Sequence, residues 1–512
     1  VAATSPTEAE PPLPGNELTQ SLLYEFLLAE IAGQRGNAAI AAQTYVDIAK
    51  RTRDPRIARR ATEIAIFARM NSTAVDAARI WRETDPKSQR AVQVLSSLLV
   101  STGRLQEAEP HLQALLSAES ANIGAAFSQL GRTLSTAQNK EAALGLLQKL
   151  AQGYDAVPQA HYAIAQAASG AGQMELALKE VQRARALRPE WEAAALLESQ
   201  LQQKTSGQAA LDTLSGYLQK YPNAREIRLN YARLLVSEKR FGEARSQFQK
   251  LLSDFPGNTE VVYAVALLSV QLNDYTLAET NLRRLLDMDY RDKDTIRLYL
   301  GQVSEEQGKY DDALKWYESI QGGDQFIPSR IRSAQLLGKQ GKVTEAREWL
   351  RRVETSGDAQ RVQLVLAEAQ LLRDANRDRE AFDVLGKALQ AQPEQPDLLY
   401  DYAMLAERLD RVDILETSLR KVIAIRPEFA HAYNALGYSL ADRNQRLPEA
   451  RDLIQRALQL APDDLFIADS MGWVLYRLGR FDGAVSHLEQ AVELRPQDAV
   501  INDHLGDAYW RV

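Results

Sequence analysis

The sequence contains no cysteine, and this removes several classes of chemistry at once. Disulfide scaffolds, thiolate zinc sites, iron–sulfur clusters and cysteine nucleophiles all require that residue. Glycine and proline are also sparse, at 27 and 18 of 512 residues, so the chain is neither collagen-like nor broadly disordered. With 45% apolar residues, the chain has enough material for a large core.

Excess charge and long apolar runs are missing as well. The chain carries 61 Lys and Arg against 68 Asp and Glu, a formal net charge of −7. This weakly acidic balance gives no electrostatic reason to expect a nucleic-acid partner. The longest nearly uninterrupted apolar stretch, residues 261–270, is about half of the roughly 20 residues that a membrane helix needs. We therefore expect neither a nucleic-acid partner nor a membrane span.

What the sequence does contain is an internal repeat. An alanine recurs every 33 to 35 residues along most of the chain, with Leu415 in one slot. Two antiparallel helices that approach to about 8–10 Å need a small side chain at their crossing. The alanine is therefore predicted to lie in the second helix of a helix pair, opposite Gly301, Gly437, Gly472 or Gly506 in the first helix. The recurring residues are Ala41, Ala74, Ala108, Ala142, Ala177, Ala210, Ala244, Ala278, Ala313, Ala346, Ala381, Ala450 and Ala484.

Prolines and charges mark the helix ends with the same period. Proline cannot continue the helical hydrogen-bond ladder, so a periodic proline predicts the end of each second helix. Acidic residues follow directly after Pro189, Pro427 and Pro462, where the positive end of the next helix favours them. The predicted ends lie at Pro189, Pro222, Pro256, Pro393, Pro427, Pro462 and Pro496.

This pattern resembles the tetratricopeptide repeat (TPR). The match is most faithful from Pro427 onward, where Gly437 and Ala450, then Gly472 and Ala484, occupy the small-residue slots. The resemblance implies an all-α fold, a right-handed α-solenoid superhelix of about 14 helix-turn-helix repeats plus the leading helix of a partial C-terminal repeat.

The resemblance also divides the chain. Residues 1–17 hold four prolines and three acids, and such a segment cannot bury enough surface to offset its ordering entropy. We expect a disordered tether at 1–17, divergent TPR-like repeats at 18–155 and a more regular TPR solenoid at 156–512. Because the last repeat stops within its first helix, we also expect the natural protein to be longer.

No group of residues has the spacing of a catalytic or metal-binding motif. The five histidines, His111, His161, His431, His487 and His504, are interpreted as surface or packing residues. Aspartates between residues 287 and 294 could gather a hard cation, but no glycine or bidentate glutamate completes a calcium loop. They are interpreted as a solvated turn. We expect a chain without catalytic residues, metal or cofactor, whose function depends on what its surfaces bind.

The first candidate surface is the face of the first helices, which the resemblance places along a concave groove. Aromatic and amide groups there suit an extended peptide or a loosely folded substrate segment. Packing between neighbouring repeats is the alternative interpretation for Tyr438 and Trp473. Most other inner slots hold Asp, Tyr or Trp, so binding of acidic C-terminal tails is not supported. The predicted groove residues are Tyr263, Tyr400, Met404, Asn434, Tyr438, Trp473 and Tyr476, with Asp469, Asp503, Asp507 and Trp510 beside them.

The second candidate surface is the first predicted helix, where apolar residues recur at three- and four-residue steps. Packing on the next helix uses part of this face, and the remainder is predicted to bind a partner protein. Its residues are Leu18, Leu22, Leu23, Phe26, Leu27 and Ile31. The arginines nearby are either a solvated helix face or a docking site for an acidic partner, and they are Arg51, Arg53, Arg56, Arg59 and Arg60.

Three stretches of the sequence resemble one group of TPR proteins in particular. Residues 435–444 and 469–491 and the Pro/Thr/Glu-rich start are similar to the TPR adaptor lipoproteins, found in Pseudomonas and its relatives, that partner a carboxyl-terminal processing serine protease. This implies a non-enzymatic periplasmic adaptor, held at the outer membrane by an N-terminal lipid anchor whose cysteine is not in this sequence. It would bind and activate the protease and capture the substrates of that protease, which are cell-wall cross-link hydrolases. The protease would bind on the N-terminal helices and the substrate in the groove.

Two alternatives remain open at this stage. One is a scaffold of envelope machinery, in polysaccharide export or cell-wall synthase activation. The other is the repeat arm of an enzyme whose catalytic domain lies beyond Val512.

Overall fold

A computed structural model describes residues 14–512, and this stretch is built from helices. It contains 29 α-helices, one short 3-10 helix at Ser120–Asn122 and no strand. The predicted all-α fold is confirmed. Most of the predicted tether, residues 1–13, lies outside the described residues, and residues 14–19 have no regular secondary structure.

The chain divides into two compact units, which meet in sequence between Pro256 and Gly257. The predicted boundary near residue 156 falls inside the first unit and stays a prediction. The helices of the N-terminal unit are α1 (Gln20–Gln34), α2 (Ala38–Thr52), α3 (Pro55–Phe67), α4 (Asn71–Thr84), α5 (Gln89–Ser101), α6 (Leu105–Ala118), α7 (Ile123–Leu134), α8 (Lys140–Leu150), α9 (Pro158–Gly170), α10 (Met174–Leu187), α11 (Glu192–Gln203), α12 (Gly207–Lys220), α13 (Arg225–Ser237) and α14 (Phe241–Asp254).

The C-terminal unit continues the pattern of helix pairs. Its helices are α15 (Thr259–Gln271), α16 (Tyr275–Asp287), α17 (Lys293–Glu306), α18 (Tyr310–Glu318), α19 (Phe326–Lys339), α20 (Val343–Arg352), α21 (Asp358–Asp374), α22 (Asp378–Ala391), α23 (Pro396–Arg408), α24 (Val412–Ile425), α25 (Ala430–Asp442), α26 (Leu447–Leu460), α27 (Leu465–Arg477), α28 (Phe481–Leu494) and α29 (Ala499–Arg511). The described chain thus holds fourteen pairs and one leading helix, α29, as the sequence predicts.

The periodic alanines lie at the helix crossings, with one correction. All but one of them are fully buried, and Leu415 is nearly so. The exception is Ala142, which is exposed, while its neighbour Ala143 is buried. Placing Ala142 in the slot was therefore wrong by one residue. In α8 the side chain of Asn139 accepts a hydrogen bond from the Ala142 amide, so Ala142 lies in the first turn and points to solvent.

The glycines opposite the alanines are needed for close approach. A Cβ built on Gly437 would lie 2.9 Å from the backbone oxygen of Ala450, and one on Gly472 would lie 3.2 Å from that of Ala484. Contacts this short leave room for hydrogen but not for a methyl group. At Gly301 the space is filled by the ring of Tyr317 instead.

The periodic prolines predict the helix ends correctly. In each of the seven cases the second helix ends two residues before the proline, as α26 does at Leu460 before Pro462. The residue before a proline is pushed out of the α region by the pyrrolidine ring, so the helix stops one residue earlier still. Next, Asp464 caps α27 by accepting from the Phe466 and Ile467 amides at 2.9 and 3.2 Å.

Each unit buries an apolar core between its helices. In the N-terminal unit the largest cluster runs from Val75 to Leu201, and in the C-terminal unit it runs from Leu399 to Val474. Neighbouring first helices also touch directly, as α25 does with α27 and α27 with α29. The side chains on these first helices therefore form a continuous surface.

Candidate functional site

The first candidate surface is the outer side of α1. Ala29 and Ala32 are buried against the rest of the fold, and Phe26 packs edge-to-face on Tyr45 of α2 with the ring centroids 6.0 Å apart. The predicted use of part of this helix for packing is therefore correct. Leu22 and Phe26 are half-buried on that inner side.

The opposite side of α1 is apolar and exposed. Leu23, Leu27 and Ile31, one turn apart, keep 46%, 53% and 47% of their surface in solvent. Tyr24 and Leu28 widen this stripe, Leu18 extends it ahead of the helix, and Ile40 of α2 is equally exposed. Three of the six predicted residues thus form one stripe on α1. We call Leu18, Leu23, Tyr24, Leu27, Leu28 and Ile31 the α1 apolar face.

Charged pairs flank the α1 apolar face. Glu25 forms an ion pair with Arg51, and Glu30 accepts a hydrogen bond from the Tyr45 hydroxyl. Burial and the neighbouring Glu30 carboxylate raise the pKa of Tyr45 to about 12. These contacts fix α1 on α2, so the α1 apolar face lies on a helix whose position is fixed.

The predicted arginine cluster is not an open basic patch. Each of its five members has a carboxylate within 4.0 Å: Glu25 for Arg51, Glu83 for Arg53, Asp54 for Arg56, Glu63 for Arg59 and Glu30 for Arg60. Their positive charge is balanced within the chain, which favours the solvated-face interpretation.

The second candidate surface is formed by α23, α25, α27 and α29. It carries six of the seven predicted groove residues, on the first helices of consecutive repeats. Its members, with the acids beside them, are Tyr400, Met404 and Glu407 of α23; Asn434, Tyr438 and Asp442 of α25; Asp469, Trp473 and Tyr476 of α27; and Asp503, Asp507 and Trp510 of α29. We call these residues the first-helix wall. The seventh predicted residue, Tyr263, lies four repeats before α23, on α15, and is not part of this wall. Its ring stacks on Tyr290 with the centroids 5.4 Å apart.

Trp473 is held at the centre of an aromatic stack. Its ring lies parallel to Tyr476 and to His504 of α29, at centroid distances of 5.2 and 4.3 Å. The Arg477 guanidinium lies 5.5 Å from the Trp473 ring, and only 9% of Trp473 remains exposed. Trp473 therefore packs between two neighbouring repeats.

His504 of α29 supports the first-helix wall from behind, a role that the sequence did not reveal. It is buried, and its Nδ1 lies 2.9 Å from the Asp469 carboxylate, 35 residues earlier. The separation equals one repeat, which was a usable signal: residues one period apart on first helices are neighbours. The pair fixes the orientation of both side chains on the wall.

Negative charge collects around Tyr438. This tyrosine is half-buried, and burial together with Asp442, Asp469 and Glu407 raises the pKa of its hydroxyl to about 12. Three successive repeats therefore contribute a carboxylate near one phenol ring. Arg443 offsets part of this charge, since it lies 3.8 Å from Glu407.

Two other polar features that the sequence singles out have partners within the fold. His161 is buried between Glu180 and the Asp155 carbonyl, at 2.6 and 3.0 Å. No group of three His, Asp or Glu side chains within residues 14–512 is placed to hold a metal ion. Nor is any helix of that stretch both long and apolar enough to cross a bilayer. In the aspartate-rich turn, Asp292 caps α17 and Asp294 pairs with Arg297 at 2.7 Å.

These features define a helical-repeat scaffold with two surfaces, and comparison with known proteins places it in a family. Residues 206–268, 263–326 and 428–497 match models of the tetratricopeptide repeat. The chain is 33% identical over 505 residues to the TPR repeat-containing protein PA4667 of Pseudomonas aeruginosa, covering 98% of this chain and 84% of that protein. The chain belongs to the family of tetratricopeptide-repeat proteins.

Two further likenesses are more distant. The cellulose synthase operon protein C of Pseudomonas fluorescens is 24% identical over 263 residues, covering 48% of this chain and 20% of that protein. Among solved structures, a chain of the APC/C hetero-tetramer Cut9–Hcn1 is 16% identical, with 96% of each chain covered and a TM-score of 0.33.

Proposed function

We propose that this chain is a non-enzymatic periplasmic adaptor, anchored at the outer membrane, that binds a carboxyl-terminal processing serine protease, promotes its activity and delivers cell-wall cross-link hydrolases to it. The observation that carries the proposal is the α1 apolar face. A soluble scaffold rarely exposes a continuous apolar stripe unless a partner covers it. The likeness of residues 435–444 and 469–491 to proteobacterial adaptor lipoproteins supports the choice of partner.

The size of the α1 apolar face suits a protein partner. Its side chains and Ile40 keep 40–67% of their surface exposed. This amounts to on the order of 600–700 Å² of apolar-residue surface, close to the roughly 800 Å² per partner of a standard interface. The leucines in particular would fill apolar pockets on a rigid partner, with the flanking Glu25–Arg51 pair at the rim.

The mechanism is an increase in effective concentration. A protease on α1 and a substrate on the first helices are held by one chain, so cleavage becomes an intramolecular event. Linked sites of this kind experience local concentrations on the order of millimolar, even where the free substrate is scarce. The scaffold needs no catalytic group of its own.

A double substitution on α1 tests the proposal. Leu27→Glu with Ile31→Glu places two charges on the apolar stripe without touching a buried residue, and we expect Kd for the purified protease to rise about 100-fold. Leu187→Glu with Leu494→Glu is the matched control, since these leucines are also exposed but lie on α10 and α28. Biolayer interferometry with immobilised protease measures both.

The outcome that contradicts the proposal is protease binding by the α1 variant at wild-type strength. Substrate capture by the α1 variant should persist, because the first-helix wall is unchanged. Loss of both activities with wild-type circular dichroism would also contradict the assignment of separate surfaces.

A second candidate function has one observation in its favour. The likeness to the cellulose synthase operon protein C supports a scaffold of polysaccharide export or other envelope machinery. Capture from envelope extract separates the two candidates: the first predicts the protease among the bound proteins, and the second predicts synthases or an outer-membrane porin.

A further inference from the structure

The first-helix wall carries carboxylates that the chain does not neutralise. Asp442, Asp503 and Asp507 are exposed, and none of them forms an ion pair within the described part of the chain. They lie on α25 and α29, on either side of α27. By contrast, Arg51, Arg53, Arg56 and Arg59 near the N-terminus each form an ion pair with a carboxylate.

Aromatic rings lie among these carboxylates. The negative charges of Asp442, Asp469 and Glu407 act on the Tyr438 hydroxyl. Trp510 is 89% exposed and follows Asp507 by one turn of α29. A cationic side chain lying over such a ring gains from the ring quadrupole as well as from the carboxylates. Exposed acids and aromatic faces together favour Lys or Arg over any neutral group.

Two polar atoms on the wall have no partner among the described residues. The Trp473 indole N–H is buried, in a residue that is nine-tenths buried, and donates to no acceptor. The Asn434 side-chain oxygen on α25 is likewise buried and unpaired. A buried polar group left unpaired costs about 1–3 kcal/mol. A donor on α27 and an acceptor on α25 match the C=O and N–H groups of an extended backbone.

We propose that the first-helix wall binds an extended peptide segment that carries lysine or arginine side chains. The backbone lies across α25, α27 and α29, near Asn434 and Trp473, and the cationic side chains reach Asp442, Asp503 and Asp507. The inference rests on the proposed function only in assigning substrate capture to this wall, and it names the substrate class: basic, loosely folded segments.

The length of the bound segment follows from the helix spacing. Packed helices lie about 8–10 Å apart, so three neighbouring first helices span about 20 Å. An extended chain advances about 3.3 Å per residue, so about six residues cross the wall. Alternate side chains of such a segment point the same way, and two or three cations can face the acids.

Positive groups already on the wall limit where the peptide cations can lie. Arg443 is engaged by Glu407 and Asp410, and Arg477 lies over Trp473 and donates to the Asp442 carbonyl at 3.3 Å. His504 occupies one side of Asp469. The cations therefore bind at the α29 acids and at the Asp442 carboxylate rather than at Glu407 or Asp469.

Fluorescence anisotropy with two labelled ten-residue peptides tests the inference. Both are made of serine, glycine and alanine, one with three lysines at alternate positions and the other with three glutamates. We expect the lysine peptide to bind at least about tenfold more tightly, with affinity that falls as salt screens the charges. Equal binding of the two peptides would overturn the inference.

Charge-neutral variants locate the site. Asp442→Asn/Asp503→Asn/Asp507→Asn should weaken the lysine peptide about tenfold, since each lost pair is partly exposed. The matched control, Asp463→Asn/Asp482→Asn/Glu493→Gln, removes three exposed charges that lie off the wall and should change Kd less than twofold. An equal loss in both variants would mean non-specific attraction and would refute a site. Trp473→Phe, which keeps the stacking and removes the indole N–H, should weaken the peptide a few-fold, and unchanged binding would remove the proposed backbone contact.

The two proposals fail separately. Leu27→Glu/Ile31→Glu should bind the lysine peptide normally, because α1 lies in the other unit. Peptide binding without protease binding would remove only the adaptor function. Protease binding on α1 without preference for the lysine peptide would remove only the basic-segment inference.

Discussion

Replacing Gly437 with alanine tests the helix crossing on which every repeat depends. Alanine normally stabilises a helix interior relative to glycine by about 1 kcal/mol. Here the added Cβ would lie 2.6 Å from Cγ1 of Ile454 and 2.9 Å from the Ala450 carbonyl oxygen. The isoleucine can rotate, but the carbonyl belongs to the backbone of α26. The two helices must therefore move apart.

The net effect should be destabilising. Forcing extra volume into a packed crossing costs about 1–3 kcal/mol, which exceeds or cancels the gain in helix propensity. We expect Gly437→Ala to lower the free energy of unfolding by about 1 kcal/mol or slightly more. Gly506, in the same slot of α29, has no atom within 4 Å of its built Cβ. Gly506→Ala should therefore stabilise α29 by up to about 1 kcal/mol.

Hydrogen exchange with mass spectrometry is the appropriate assay, because the stability of a repeat protein depends on local and nearest-neighbour terms. Amides of α25 and α26 should exchange about fivefold faster in Gly437→Ala, with smaller changes in α27 and little change in the N-terminal unit. Amides of α29 should exchange more slowly in Gly506→Ala. Slower exchange in α25 and α26 on Gly437→Ala would show that the crossing tolerates a methyl group, and the packing argument for the repeat would be refuted.

Two further predictions concern charged groups. The Arg446 guanidinium holds the pKa of Glu416 at about 2, below its ordinary value of 4.5. The ionised Glu416 carboxylate therefore stabilises the fold fully above pH 4.5, and this stabilisation is lost as the pH falls towards 2. Urea unfolding should show Glu416→Gln less stable than wild type at pH 7 and nearly equal to it at pH 2, and a difference independent of pH would contradict this. Glu368 is 5% exposed and accepts from Arg347 at 2.9 Å, so Glu368→Ala should cost about 3 kcal/mol in urea unfolding. The exposed Glu348, replaced in the same way, should cost less than about 1 kcal/mol, and equal costs would show that burial of the Glu368 pair is unimportant.

The candidate surfaces show where sequence reasoning reaches its limit. The α1 apolar face could be predicted as a stripe, because spacing along one helix determines which residues share a side. Which part of that stripe packs on α2 depended on Phe26 meeting Tyr45, a contact between different helices. Likewise, the repeat pattern places Tyr438 and Trp473 on first helices. How far each side chain is buried depends on residues one repeat away.

The sequence by itself determined the number of helix pairs, their ends and the small residues at their crossings. These follow from local rules: a proline stops a helix within two residues, and a close crossing favours a small side chain, with Leu415 as the exception in one slot. The tertiary structure alone decided that Ala143 rather than Ala142 fills its slot, that the arginines between 51 and 60 are paired, and that His504 binds Asp469. Each of these depends on how one helix is rotated against another. A shift of a single residue changes that rotation, and a 34-residue repeat pattern is too coarse to resolve such a shift.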